Sequence, residues 1–184
     1  RQMCIRDRYG GIVKDADATL ENILAFIAER QAVMLREEGF AYDHVDAVLA
    51  VHAAHPIRAV KCLEALQAID ENQVQDLAEQ AKRMQRIVKE PAESVDESLL
   101  DANEKDLYAL TGASAETVRG HAANQSYGDA LSETLAWVPV ISEYFENVMV
   151  NDKDDAIRAN RHALVQDVLS ATGSIADFTR IEKR

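Results

Sequence analysis

Residues 155–168 read DAIRANRHALVQDV, and on a helix turning about 100° per residue Leu164 and Val168 fall beside Ile157 on one face. Asn160 and Arg161 fall within roughly 60° on either side of that face, where apolar packing is expected. Two readings follow from the spacing. In one, Asn160 is buried and bonded to a neighbouring loop, Arg161 carries its guanidinium past the core, and Arg158 is exposed. In the other, Arg158, Asn160 and Arg161 form a polar edge, since Arg and Asn can bond bidentately to nucleotide bases. The second cluster is QAKRMQRIVK at residues 80–89, four bases and no acid in an acid-rich chain. Lys82, Arg86 and Lys89 share one stripe at i, i+4 and i+7, with Arg83 about a quarter-turn away. Such a stripe can contact phosphate, or it can be a solvated face that complements the C-terminal dipole of its helix.

Other reactive types are sparse. His52 and His55 have a helical metal-ligand spacing, but no third ligand or H-E-x-x-H pattern accompanies them, and with Pro56 following they read as helix-end residues. No G-x-S-x-G, Walker A or G-x-G-x-x-G occurs, so catalysis within this chain is not expected. Cys4 and Cys62 lack a C-x-x-C spacing and read as unpaired thiols of a reducing compartment, which predicts a cytoplasmic location.

The elements that must position these groups are helical. The 184 residues contain only 7 Gly and 3 Pro, and almost every segment has a helical apolar period. An all-α bundle of about seven to eight helices is expected. Its helices run from about Asp17 to Glu38 with Gly39 as the stop, from near Asp43, from Pro56, from an Asn72 cap to Pro91, over LLDANEKDLYAL to near Gly112, over 115–123, and from Asp129 to near Val150 with a kink at Pro139. The last starts at an Asp152 cap with Asp155 three residues on and ends near Ala171. The opening RQMCIRDRYGG joins no periodic pattern, so residues 1–11 are set aside as non-native or disordered and 12–184 are taken as one domain. No run approaches a membrane span of about 20 apolar residues.

Thirty-two Asp and Glu oppose 20 Lys and Arg, a net charge of −12, which argues against non-specific coating of DNA or RNA. The imbalance is uneven: 15 acids face 12 bases through Pro91, and 17 face 8 beyond it.

The tract YFENVMVNDKDDAIRANRHALVQDVLSATGSIADF closely resembles the C-terminus of the β-subunit of bacterial glycyl-tRNA synthetase, where an FFDxVMV helix, an acidic turn and an LRxNRL-like helix run to an ADxS-like end. LENILAFIAERQAVMLREEGFAYDHVDAVLAV, AKRMQRIVKE and ANEKDLYAL fall in the family's order upstream. The resemblance covers about Ile12 to the end and implies the all-α, DALR-like anticodon-binding domain, similar to that of arginyl-tRNA synthetases. Lys82 and Arg83 match the basic pair of the family's NKR motif, and Arg158, Asn160 and Arg161 match its RxNR signature. Ala81 stands where the family usually has Asn, Arg86 where it has a small or amide residue, and SIADFTRI replaces a more apolar ending.

What the resemblance implies is a tRNA-binding module, with Lys82, Arg83, Arg86, Arg158, Asn160 and Arg161 as its candidate contacts to the anticodon stem-loop of glycine tRNA. Aminoacylation, with its ATP and glycine, would occur on the α-subunit, reached through a part of the β-subunit not in this sequence. No cofactor, metal, membrane or DNA partner is expected here. The rival reading from the residues alone is an all-α protein-interaction or subunit-assembly module whose basic stripe is merely solvated.

Overall fold

Apolar residues at helical spacing, separated by short polar turns, leave this chain little choice but to stack helices on one another. The computed structural model describes residues 15–88 and 94–183, and among them every regular element is helical. In chain order these are α1 (Ala16–Glu37), α2 (Tyr42–His52), α3 (Pro56–Gln67), α4 (Glu71–Ile87), α5 (Lys105–Ala109), α6 (Ala115–Ala123), α7 (Tyr127–Leu135), α8 (Val138–Asn147) and α9 (Asp155–Thr172). Short 3-10 turns cover Glu97–Leu99 and Phe178–Arg180. The division at residues 11 and 12, Cys4, Lys89 and Pro91 lie outside the described residues.

Several boundaries differ from the sequence expectation for local reasons. Asp70, not Asn72, caps α4, its carboxylate accepting the Asn72 N–H at 2.9 Å. Asp154, not Asp152, caps α9, accepting from the N–H groups of Ala156 (2.9 Å) and Ile157 (3.2 Å). The helix expected over LLDANEKDLYAL begins only at Lys105. Ahead of it Asp101 accepts the N–H groups of Asn103 (2.8 Å) and Glu104 (3.2 Å) and holds that stretch as a turn. α5 meets α6 through a π-type turn, Leu110–Ser114, in which Gly112 leaves helical geometry. The apolar stripe from Leu131 to Val148 divides into α7 and α8 just before Pro139, which sits in the first turn of α8 where its missing N–H costs nothing.

The C-terminus of α1 closes in a Schellman motif. Gly39 adopts φ +98°, its N–H reaching Arg36 O and the Phe40 N–H reaching Leu35 O. The same motif ends α6, but there Gln125 takes the positive φ (63°).

One core runs through α2–α9, with Trp137, Tyr127, Leu63, Leu77, Met84 and Leu164 fully enclosed. α4 lies against α7, α8, α9 and the C-terminal 3-10 turn, and α9 packs on both α4 and α6. Residues 175–182 clasp α2, α3 and α4. Ile175 O accepts from His52 Nε2 (2.9 Å) and Cys62 Sγ (3.5 Å), Asp177 N donates to Ala47 O (3.0 Å), and Glu182 N donates to Asp43 Oδ2 (3.0 Å). Ile175, Phe178 and Ile181 are buried, so an ending more polar than the family pattern still inserts its apolar residues. Burial pushes the Cys62 thiol up to about 12 and leaves it unreactive. No helix among the described residues is long and apolar enough to cross a membrane.

Candidate nucleic-acid interface

The six candidate residues separate into two places. Lys82, Arg83 and Arg86 lie along α4, and Arg158, Asn160 and Arg161 lie in the first turns of α9.

On α9 the buried face runs through Asn160, Leu164, Val168 and Ala171, which makes Asn160 part of the packing surface itself. Its side chain is 6% exposed and grips one residue of the connector: Oδ1 accepts the Asp96 N–H at 2.6 Å, and Nδ2 donates to Asp96 O at 3.0 Å. These bonds occupy the edge that would otherwise read a base. Arg161 is equally committed. Its Nε bonds Glu104 Oε1, its Nη1 donates to Asp152 Oδ2 (2.8 Å) and Met149 O (3.0 Å), and its Nη2 faces Asp101 Oδ2 at 3.5 Å. The Arg161 side chain is 11% exposed and that of Glu104 1%.

Arg158 and His162 complete the junction from the same turns of α9. Arg158 Nη1 donates to Asp152 O (2.8 Å) and its Nη2 bonds Asp155, while the His162 ring meets Asn151 Oδ1 at 3.0 Å. Residues 149–152 and the connector at 96–104 are thereby held onto α9 by one helical stretch. Asp152 is kept below the ordinary carboxylate range, first by the Asp154 N–H and then by Arg161. Tyr144 lies beneath this network with its hydroxyl buried and without a hydrogen-bond partner, and burial, then the Glu104 charge, pushes its pKa up.

Of the two readings open from spacing, the geometry of Asn160 and Arg161 is that of the architectural one. Arg158 departs from it, being partly covered and bonded to the loop instead of freely exposed. The residues that spacing did not find are Glu104, Asp101 and Asp96. Their signal was present in DANE, where Asp-x-x-Glu ahead of a helix marks a turn with a returning carboxylate. Glu104 Oε2 does accept the Asp101 N–H at 2.7 Å.

The α4 stripe is more open. Lys82 is half-buried and its ammonium bonds Ile181 O, tying α4 to the C-terminal clasp. Arg83 stacks over the Phe145 ring with its guanidinium carbon 4.3 Å from the centroid and donates to Phe145 O at 3.2 Å, yet remains exposed at its edge. Arg86 is exposed, and among the described residues no hydrogen bond or ion pair holds it. It borders an open groove of about 460 Å³ that also takes in Lys82 and Lys183 on the basic side and Asp76, Glu79 and Glu182 on the acidic side. Lys183 approaches Glu79 at 3.6 Å. The groove is therefore of mixed sign, and a phosphate would be met by the Arg83 and Arg86 edge and not by the groove as a whole.

The histidine pair is not brought together as a site. His52 is buried against Ile175 O and the Tyr127 ring, whereas His55 precedes the first residue of α3 without a side-chain capping bond and is exposed. Burial, opposed by the bond to Ile175 and aided by Arg58 and His55, holds the His52 pKa below its ordinary value.

Comparison with known proteins adds descent to this geometry. No protein-family model matches the chain. Among curated proteins it is 34% identical over 192 residues to the glycine–tRNA ligase beta subunit of Magnetococcus marinus, covering 97% of this chain and 27% of that protein. The corresponding subunits of Acidobacterium capsulatum (34% over 183 residues) and Clostridioides difficile (30% over 180 residues) match 92% and 95% of the chain, each across 26% of its own length. The chain thus spans about a quarter of the length of these relatives, matching their C-terminal portion. Over that span it belongs to the family of glycine–tRNA ligase beta subunits.

Proposed function

We propose that this chain is the tRNA-binding module of a glycine–tRNA ligase β-subunit, holding glycine tRNA by its anticodon stem-loop while ATP-dependent aminoacylation proceeds on the α-subunit. The observation that carries the reading is the 34% identity extending over 97% of the chain to a subunit of that ligase. Within the module the exposed guanidinium groups of Arg83 and Arg86 supply phosphate contacts, with Lys82 anchoring their helix to the C-terminal clasp. Asn160 and Arg161 contribute by building the junction, and Arg158 keeps an exposed edge beside it. An acidic bulk is compatible with this role. It suppresses non-specific coating, and a few correctly placed cations are enough to orient a folded RNA.

Titration of glycine tRNA at several salt concentrations tests the reading. Arg83→Ala and Arg86→Ala are each expected to weaken binding and to reduce the salt slope by up to about one counterion, without changing which tRNA is preferred. Arg161→Lys is expected to lose binding only in proportion to its unfolded fraction. Curves for the Arg83 and Arg86 variants that overlay the parent would remove these residues from the interface, and absence of tRNA binding by the folded chain would remove the function. A second reading, a protein-interaction module, is favoured by one specific feature, the uncovered apolar face of α1.

A further inference from the structure

More than half of the large apolar side chains left exposed among the described residues lie on α1. Leu20, Ile23, Leu24, Ile27 and Met34 fall within about 100° of one another around the helix, and Phe26 flanks them. Leu20, Phe26 and Met34 are 56%, 57% and 59% exposed. Only the final turns of α1 join the body, through Leu35 at the core and Ala32 beside it, while nearly every residue from 17 to 30 is open. A helix of this length whose apolar side chains stay exposed over most of its turns is marginal in water, and an apolar stripe is the wrong surface to leave there. Either the stripe is covered or this half of α1 does not persist.

We infer that the projecting half of α1 is a docking helix whose apolar face is covered by the part of the same polypeptide that precedes it. Three observations select this occupant. The match to the Magnetococcus marinus subunit leaves only 3% of the chain outside it, too little to reach α1 from either end, so α1 belongs to the related region. That region is a C-terminal portion of proteins nearly four times as long, which places their further chain ahead of α1. A second copy of this chain is the weaker occupant. Stable dimers engage about 20–30 residues a side, and one stripe per copy offers far fewer. A covering segment tethered in cis, by contrast, acts at an effective concentration in the millimolar range and needs no such area.

Amide hydrogen exchange of residues 17–30 tests this in the 184-residue chain and in the full-length polypeptide expressed from its own gene. In the shorter chain these amides are expected to exchange nearly unprotected at every protein concentration. In the longer one they are expected to slow by about a hundredfold. Equal exchange in the two overturns the inference, as does a gene that encodes nothing ahead of this sequence. Protection in the shorter chain that grows with concentration overturns it in favour of a second copy. The double variant Ile23→Glu/Ile27→Glu supplies the control. It should abolish the added protection in the full-length polypeptide and leave the melting temperature of the shorter chain unchanged. A lowered melting temperature there would show that the stripe packs within this domain, which also overturns the inference. No RNA enters these measurements, so their outcome is separate from that of the tRNA titration.

Discussion

Asn160 shows what one side chain can hold. Its amide returns both bonds to the Asp96 backbone, so Asn160→Ala removes two hydrogen bonds at once and is expected to cost about 1–3 kcal/mol in urea denaturation. Arg161→Met should cost more, about 3–5 kcal/mol, because it strands Glu104 as a buried carboxylate with no counter-charge. An unfolding free energy for either variant within a few tenths of the parent would contradict this account of the junction. His52 carries a pH dependence of definite sign. Its folded pKa lies below the unfolded value of about 6.5, so its contribution is complete above that pH and is lost as pH falls toward the folded value. His162, also depressed by burial and by Arg158, acts in the same direction. Melting temperature should therefore decline as pH falls below about 6.5, and His52→Gln should flatten the decline without abolishing it. An unchanged slope in that variant would remove His52 as a source.

At the level of elements, the two Schellman closures differ in one atom group. Gly39 meets its positive φ without a Cβ, whereas Gln125 meets the same requirement with a full side chain and recovers only one exposed bond, from Lys61 Nζ at 2.9 Å. Gln125→Gly is expected to stabilise the domain by about 1 kcal/mol, since left-handed backbone costs an L-residue roughly 1–2 kcal/mol. A loss of stability would mean that the Lys61 contact or the entropy of the unfolded chain outweighs the relief. The element that matters most for the candidate interface is α4. Lys82 fixes it to the C-terminal clasp, Arg83 to α8 through Phe145, and Arg86 is left at the surface. One basic stripe is thus divided between architecture and exposure.

For the whole molecule, twelve uncompensated negative charges repel one another in the folded state more than in the expanded one. Raising the salt concentration from low to physiological strength should raise the melting temperature by screening that repulsion, while the enclosed Arg161–Glu104 pair is little affected. A melting temperature that falls over the same range would show exposed ion pairs to dominate. Salt is expected to act oppositely on tRNA binding, and the two dependences together separate self-repulsion from phosphate contact.

The sequence by itself determined the helical class, the Gly39 stop, Pro56 in a first turn, and the acidic balance, because these depend on local propensity, backbone freedom and composition. The resemblance carried by RANR and its neighbours likewise needed no coordinates. Only the tertiary structure decided which groups those residues meet. Periodicity placed Asn160 and Arg161 on a packing face but could not say that Asp96 and Glu104, some sixty residues earlier, would meet them there, since that pairing depends on how the connector returns across α9. Which of Asp152 and Asp154 would cap α9 was equally beyond local pattern. Both are competent acceptors, and the competition is settled by Arg161 and the Asp154 N–H drawing Asp152 into the junction. The exposed stripe of α1 marks the converse case: its amphipathic period predicts a buried face, and the fold of this chain leaves most of that face uncovered.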